Sequence, residues 1–406
     1  MITLFVAAAL TVCSPCVIQN VRVEVGDGTI IARANVVIDR GRIVSVGEDV
    51  PADAVAINGA GKILTPGFIE TRSRLGIVEV EQERTANDSG LRHGPITPAF
   101  SVAWGYNPES VWIPIAREEG VTSAVLAPFG GIIAGSGSWV DLTGALSTLP
   151  DPLKPLAMFG AIGADTAASS GDGARGGLWL ALRQAFADAR LYKANRAAFD
   201  KGLGRPLSLS PLNLEALLPV LDGTLPLVLE ANRASDILTA LEFSRLERVR
   251  LVIAGGAEAW RVPDALRKGN VPVLLRPSLQ EPGTFDQLAT QDDLAGILDR
   301  AGVAVVISVN GGAPDARRLR QEAGMAVAMG MSRTSALKAI TLNAAEAFGR
   351  GREYGSVTSG KHANVVLWSG DPLETSTVVE RLWIDGEERS LDTRQRKLVE
   401  RYRPKK

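Results

Sequence analysis

The chain of 406 residues carries 44 Lys and Arg against 45 Asp and Glu, is 46% hydrophobic, and has a formal net charge of −1. That apolar content excludes general disorder, and the near-zero charge gives no field that would hold nucleic acid or an anionic bilayer. Two histidines, His93 and His362, and two cysteines, Cys13 and Cys16, are the whole stock of imidazole and thiol ligands, so any three- or four-ligand metal site of those types must draw on them.

In chain order, residues 2–12 form an apolar run too short for a membrane-spanning helix, which needs roughly 20 residues. With Ser14-Pro15-Cys16 after it, the run has the character of a secretory signal, so residues 1–16 are expected to direct export, to the periplasm. A buried first strand in a cytoplasmic protein is the alternative. Cys13 and Cys16 have CxxC spacing but no βαβ context for redox chemistry. Residues 17–64 alternate β-branched positions with Gly and Asp turns, the pattern of a small sheet or sandwich, and residues 355–388 behave the same way. Between them, 65–354 alternates strand-like runs (VTSAVLAP, LPLVLEA, VRLVIAGG, VPVLLRP, VAVVISVNG) with amphipathic stretches, the signature of a parallel α/β fold. The Ala- and Gly-rich residues 160–177 read as a long mobile loop, and 389–406 as a basic, solvated tail.

The stretch Leu64 to Gly76, LTPGFIETRSRLG, resembles the first barrel strand of the amidohydrolase superfamily, whose pattern is PGF-I-D-x-H-x-H-x-G. The runs ALKAITLNAAEAFG and YGSVTSGKHANVVLWSGDPL resemble that superfamily's last barrel helix and its return into a β-sandwich. PFGGIIAGSGSWVDLTG, LVLEANRASDILTAL and LVIAGGAEAWRVPDAL are similar to the imidazolonepropionase-related branch, and the likeness runs from Val17 to Glu387. The resemblance implies an α/β fold, an amidohydrolase-type (β/α)8 TIM-like barrel with a small β-sandwich formed by both chain ends. It also implies hydrolysis of C–N bonds other than peptide bonds. The zinc would sit on the strand-1 His-x-His, histidines of strands 5 and 6, and a strand-8 Asp.

At those positions the residues differ. Arg72 and Arg74 stand in place of His-x-His, Asn232 at the strand-5 histidine, Gly255, Gly256 and Glu258 at strand 6, and Ser308 and Asn310 at strand 8. A guanidinium has no lone pair for a metal. The expectation is therefore a degenerate member without metal or cofactor, retained for binding or structure; an active hydrolase, metal-independent or with an unorthodox carboxylate site, is the alternative.

Period-two alternation puts Glu70, Arg72 and Arg74 on one strand face, with Glu230 and Arg233 arriving from another strand end. Two accounts stay open. The arginines could grip a small anionic ligand, or they and the glutamates could neutralise each other as a plug. A Mg²⁺ or Ca²⁺ site from Glu70, Glu79, Glu230 and Glu258 is disfavoured by the two cations. Gly355 to His362 nearly matches a P-loop, but His362 replaces the required hydroxyl, so a turn is expected. Gly130 to Ser138 reads as a loop near the barrel mouth, and Trp104, Tyr106, Trp112 and Trp139 fall in the region expected to cover it, with core packing the commoner role for such residues and ligand contact the alternative. No nucleic acid or integral membrane span is expected; an oligomer is left open.

Overall fold

A computed structural model describes residues 15–403; the signal-like run and the last residues of the basic tail lie outside them. Five strands open the chain: β1 (Cys16–Glu24), β2 (Ile30–Asp39), β3 (Arg42–Gly47), β4 (Val55–Asn58) and β5 (Ile63–Pro66). Eight follow as β6 (Phe68–Ser73), β7 (Val121–Leu126), β8 (Gly135–Asp141), β9 (Ala157–Ala161), β10 (Leu227–Ala231), β11 (Leu251–Gly255), β12 (Val273–Leu275) and β13 (Val305–Ile307). β14 (Val365–Trp368), β15 (Val379–Ile384) and β16 (Glu387–Glu388) close the set.

The first and last groups share one sheet, ordered β16-β15-β14-β5-β1-β2-β3 with β4 also on β1. The pairing of β14 with β5 joins the two ends of the chain, as their turn-rich patterns lead one to expect. The middle eight form the barrel path from β6 to β13. β7 is buried at every position and β10 to β13 nearly so, which is why they read as continuous apolar runs rather than alternating ones.

One strand departs from the expected all-parallel barrel. β8 pairs antiparallel with both β7 and β9, so the Gly-rich segment read as a mouth loop contributes a strand. The cause is connection length. Only residues 127–134 separate β7 from β8, too few for a helical crossover, so the chain must return as a hairpin. The expected loop over 160–177 is also corrected. It holds the end of β9, the helix Ala164–Ser170 and the start of the helix Arg175–Asp200. Its alanines are strong helix formers, and its Gly171 and Gly173 mark the break between the helices.

Barrel and sheet meet across a packed, hydrogen-bonded seam. Trp368 stacks on Phe68 with centroids 5.2 Å apart, and its indole N–H donates to Thr65 Oγ1 at 2.9 Å. Gly120, which leads into β7 at φ +84°, lies so close that a Cβ would stand 2.5 Å from the Trp368 ring. Arg333 donates to Glu24 of β1 at 2.9 Å and to Asp371 at 2.6 Å, tying a barrel helix to the sheet. Asp141, at the end of β8, accepts from Ser123 Oγ at 2.6 Å, Asn364 Nδ2 at 2.9 Å and Tyr354 Oη at 2.9 Å. Desolvation pushes its carboxyl above the usual range, although those donors oppose the shift. Asp141→Ala strands four donors at once, since the Trp139 indole N–H also donates to it at 3.3 Å, and is expected to cost about 2–3 kcal/mol, read as a fall in the denaturation midpoint at unchanged m-value.

The histidines and aromatics settle into the same frame. His362 pairs through Nδ1 with Asp385 and stacks on Tyr354 at 4.4 Å, in the sheet return, while His93 is exposed in a loop. The four aromatics divide between packing and exposure, and none lines the cavity at the C-terminal ends of the barrel strands. Trp139 packs on Tyr354 at the seam, Tyr106 is buried, Trp112 bonds the Glu79 carbonyl and Trp104 is exposed. Lys361 donates to the carbonyls of Gly351 and Tyr354, and β14 follows rather than a helix, so the P-loop-like stretch is a turn. Among the described residues no helix is long and apolar enough to cross a membrane.

Candidate functional site

The C-terminal ends of the parallel strands converge on a cavity of about 70 Å³. This is the face on which such barrels build their sites, because the loops after each strand can vary without disturbing the core. Arg72 of β6, Glu230 of β10, Arg276 just past β12, and Ser308 and Asn310 just past β13 all line it.

Arg72 is the central side chain. It is 6% exposed, and its Nη2 donates to Glu230 Oε2 at 2.6 Å. The attraction of Arg72 holds the Glu230 carboxyl below its ordinary range, against the pull of burial. Nε and Nη1 of Arg72 are sealed from solvent and have no hydrogen-bond partner among the described residues. The ring of Phe129 lies over both arginines, 4.9 Å from the Arg72 guanidinium carbon and 4.0 Å from that of Arg74.

Glu70 closes the barrel. It accepts from Ser308 Oγ at 2.5 Å and the Val309 amide at 2.9 Å, bridging β6 to the chain after β13, and from the Arg72 amide at 3.1 Å. Among the described residues no arginine side chain pairs with it, so of the two glutamates in the barrel strands only Glu230 has a guanidinium partner. Burial drives its carboxyl upward, and the three donors only partly offset that.

The other expected residues disperse. Arg74 lies one position beyond β6, where strand alternation has ended; it turns to Glu81 at 3.1 Å instead of joining Arg72 and Glu230. Arg233 is exposed and opens the helix Ala234–Glu247. Glu258 accepts from the Ala234 amide at 3.0 Å, closing the start of that same helix, and faces Arg261 at 3.5 Å. Asn232 lines the cavity while its Oδ1 accepts from the Ala257 amide at 3.4 Å. Asn310 reaches the cavity rim with φ +45° and leaves Oδ1 buried without a partner. Glu70, Glu79, Glu230 and Glu258 do not form a cation site, and no three His, Cys, Asp or Glu gather anywhere among the described residues.

Sequence reasoning passed over Arg276. Its Nε donates to Glu322 Oε1 at 2.9 Å and to Ser278 Oγ at 3.2 Å. Its terminal nitrogens hydrogen-bond no described residue and are not sealed from solvent. Glu322 is 4% exposed and also accepts from the Ser278 amide and hydroxyl, at 2.9 and 2.6 Å. The signal was present in VPVLLRP, where a charged residue ends an apolar barrel run just as Glu230 ends LPLVLE.

With this geometry in view, comparison with known proteins is specific. A family profile described as "Amidohydrolase family" matches residues 288–389. "Amidohydrolase tasK" of Hapsidospora irregularis is 23% identical over 386 residues, covering 87% of this chain, which spans 39% of that protein's length. An imidazolonepropionase of Geobacillus sp. (strain WCH70) is 39% identical over 105 residues, 25% of this chain and 23% of its own. The crystal structure of an amidohydrolase from Thermotoga maritima MSB8 superposes with a TM-score of 0.83 at 26% identity, covering 92% of this chain and 99% of that one.

Proposed function

The chain belongs to the amidohydrolase superfamily, and from that premise we propose that it is a non-catalytic, ligand-binding member whose barrel mouth takes a small carboxylate-bearing molecule. One observation carries the reading. Arg72 occupies the strand-1 position that resembles the superfamily's His-x-His, and it is already ion-paired with Glu230.

These side chains do not suit a transition metal. A guanidinium offers no lone pair, a second one follows at Arg74, and the amide of Asn232 is occupied by the Ala257 N–H. The two histidines of the chain, one exposed and one bonded to Asp385, stand in a loop and in the sheet return. Without a metal to lower the pKa of water, the superfamily's way of generating hydroxide at neutral pH is missing. What the site retains is arginine at the end of the barrel, whose planar guanidinium fork suits the two oxygens of a carboxylate.

Elemental analysis of untagged protein purified without chelator tests the reading, together with thermal shift in acetate, propionate and succinate. The expected outcome is a transition-metal content far below one per chain and a rise in melting temperature with carboxylate but not with zinc. One zinc per chain, or zinc-dependent release of amine from amide substrates, would overturn it.

A further inference from the structure

We infer that the ligand is amphoteric, a short molecule whose carboxylate lies on the free fork of Arg276 and whose ammonium or N–H end lies on Glu230; this rests on the carboxylate-binding reading above. The wall of the cavity is already balanced. Arg72 faces Glu230 at 2.6 Å and Arg276 faces Glu322 at 2.9 Å. A simple anion entering that space adds one charge to a wall whose ion pairs already balance, which is less favourable than adding a ligand of zero net charge. A zwitterion is such a ligand.

The groups of the cavity wall that stay open to a ligand have both characters; the unpartnered Nε and Nη1 of Arg72 are sealed from solvent and are not among them. On the donor side stand the two terminal nitrogens of Arg276, held in place because Nε is fixed by Glu322 and Ser278. A guanidinium fixed at Nε presents its outer pair of nitrogens to both oxygens of one carboxylate. On the acceptor side stands Glu230, which uses only Oε2 for Arg72; Oε1 is open, and its side chain is 37% exposed. A donor fork on Arg276 and an open oxygen on Glu230, both on one cavity, match an amino acid or a short amino-carboxylate better than a dicarboxylate, which would set a negative end against Glu230. A volume of about 70 Å³ limits the bound part to a small molecule or to the polar end of a longer one.

Isothermal titration with glycine, β-alanine and 4-aminobutyrate, each beside the carboxylate and the amine of matching length, tests the inference. One amino-carboxylate is expected to bind at least tenfold more tightly than both of its controls. Arg276→Lys, which keeps the charge and loses the fork, is expected to weaken it at least tenfold. Glu230→Gln is expected to erase the preference over the plain carboxylate. If plain carboxylates bind as well as amino-carboxylates and Glu230→Gln changes nothing, the amphoteric ligand is wrong while the carboxylate reading stands. If no carboxylate or amino-carboxylate binds to a folded protein, both are wrong. Unchanged affinity in Arg276→Lys would remove Arg276 from the site.

Discussion

Glu322→Ala is expected to lower the unfolding free energy by about 3–5 kcal/mol, the range found when one partner of a buried ion pair is removed. Glu322 is 4% exposed, and its carboxylate is the acceptor for Arg276 Nε, the Ser278 amide and the Ser278 hydroxyl. Deleting it leaves a guanidinium that is itself only 12% exposed without a counter-charge, and a backbone N–H without an acceptor. Glu322→Gln keeps an oxygen for one of those donors and is expected to cost less, about 1–2 kcal/mol. Urea titration of both variants reads the difference as a shift in midpoint. A small loss for alanine, equal to that for glutamine, would mean that the Arg276 segment is not held by this carboxylate. The variant also reports on function, because Arg276 loses the contact that orients its fork.

The fold was legible because burial on both faces leaves an unambiguous mark. VTSAVLAP, LPLVLEA, VRLVIAGG, VPVLLRP and VAVVISVNG each hold a barrel strand. β8 was not, since GSGSWVD alternates small residues with a single Trp–Val pair and reads as a loop until the shortness of the connection before it is considered. The centre of the site was legible in part. Arg72 and Glu230 meet as an Arg–Glu pair should, because both lie within strands whose C-terminal ends open on the same cavity. Arg74 and Arg233 stand apart from that pair for one shared reason: each lies just past a strand end, where the period of two no longer constrains direction. Glu258 stands apart for another. An amide at a helix start competes for its carboxylate, and local hydrogen bonding of that kind is invisible in spacing.

The question of plug against binding site resolves into a prediction about what an apolar replacement does. Arg72→Ala is expected to destabilise by about 2–4 kcal/mol, because a cavity opens beneath Phe129 and Glu230 loses its partner. The cost stays below that of a fully buried pair since Glu230 is 37% exposed and can hydrate. The double variant Arg72→Met/Glu230→Leu removes both charges and restores packing. It is expected to equal or exceed the parent in stability, because Nε and Nη1 of Arg72 are buried without partners in the parent and that cost disappears. The pH dependence follows the same logic. Arg72 lowers the folded-state pKa of Glu230, so the stabilisation from the pair is fully present above the ordinary glutamate range, near 4.5, and fades as pH falls through the lower folded value. The double variant should lose that part of the acid sensitivity, and denaturation from pH 7 to pH 3 measures it. A double variant less stable than Arg72→Ala would make the pair a structural plug. A double variant as stable as the parent yet unable to bind carboxylates leaves ligand recognition as the reason for keeping two charges where methionine and leucine would fold as well.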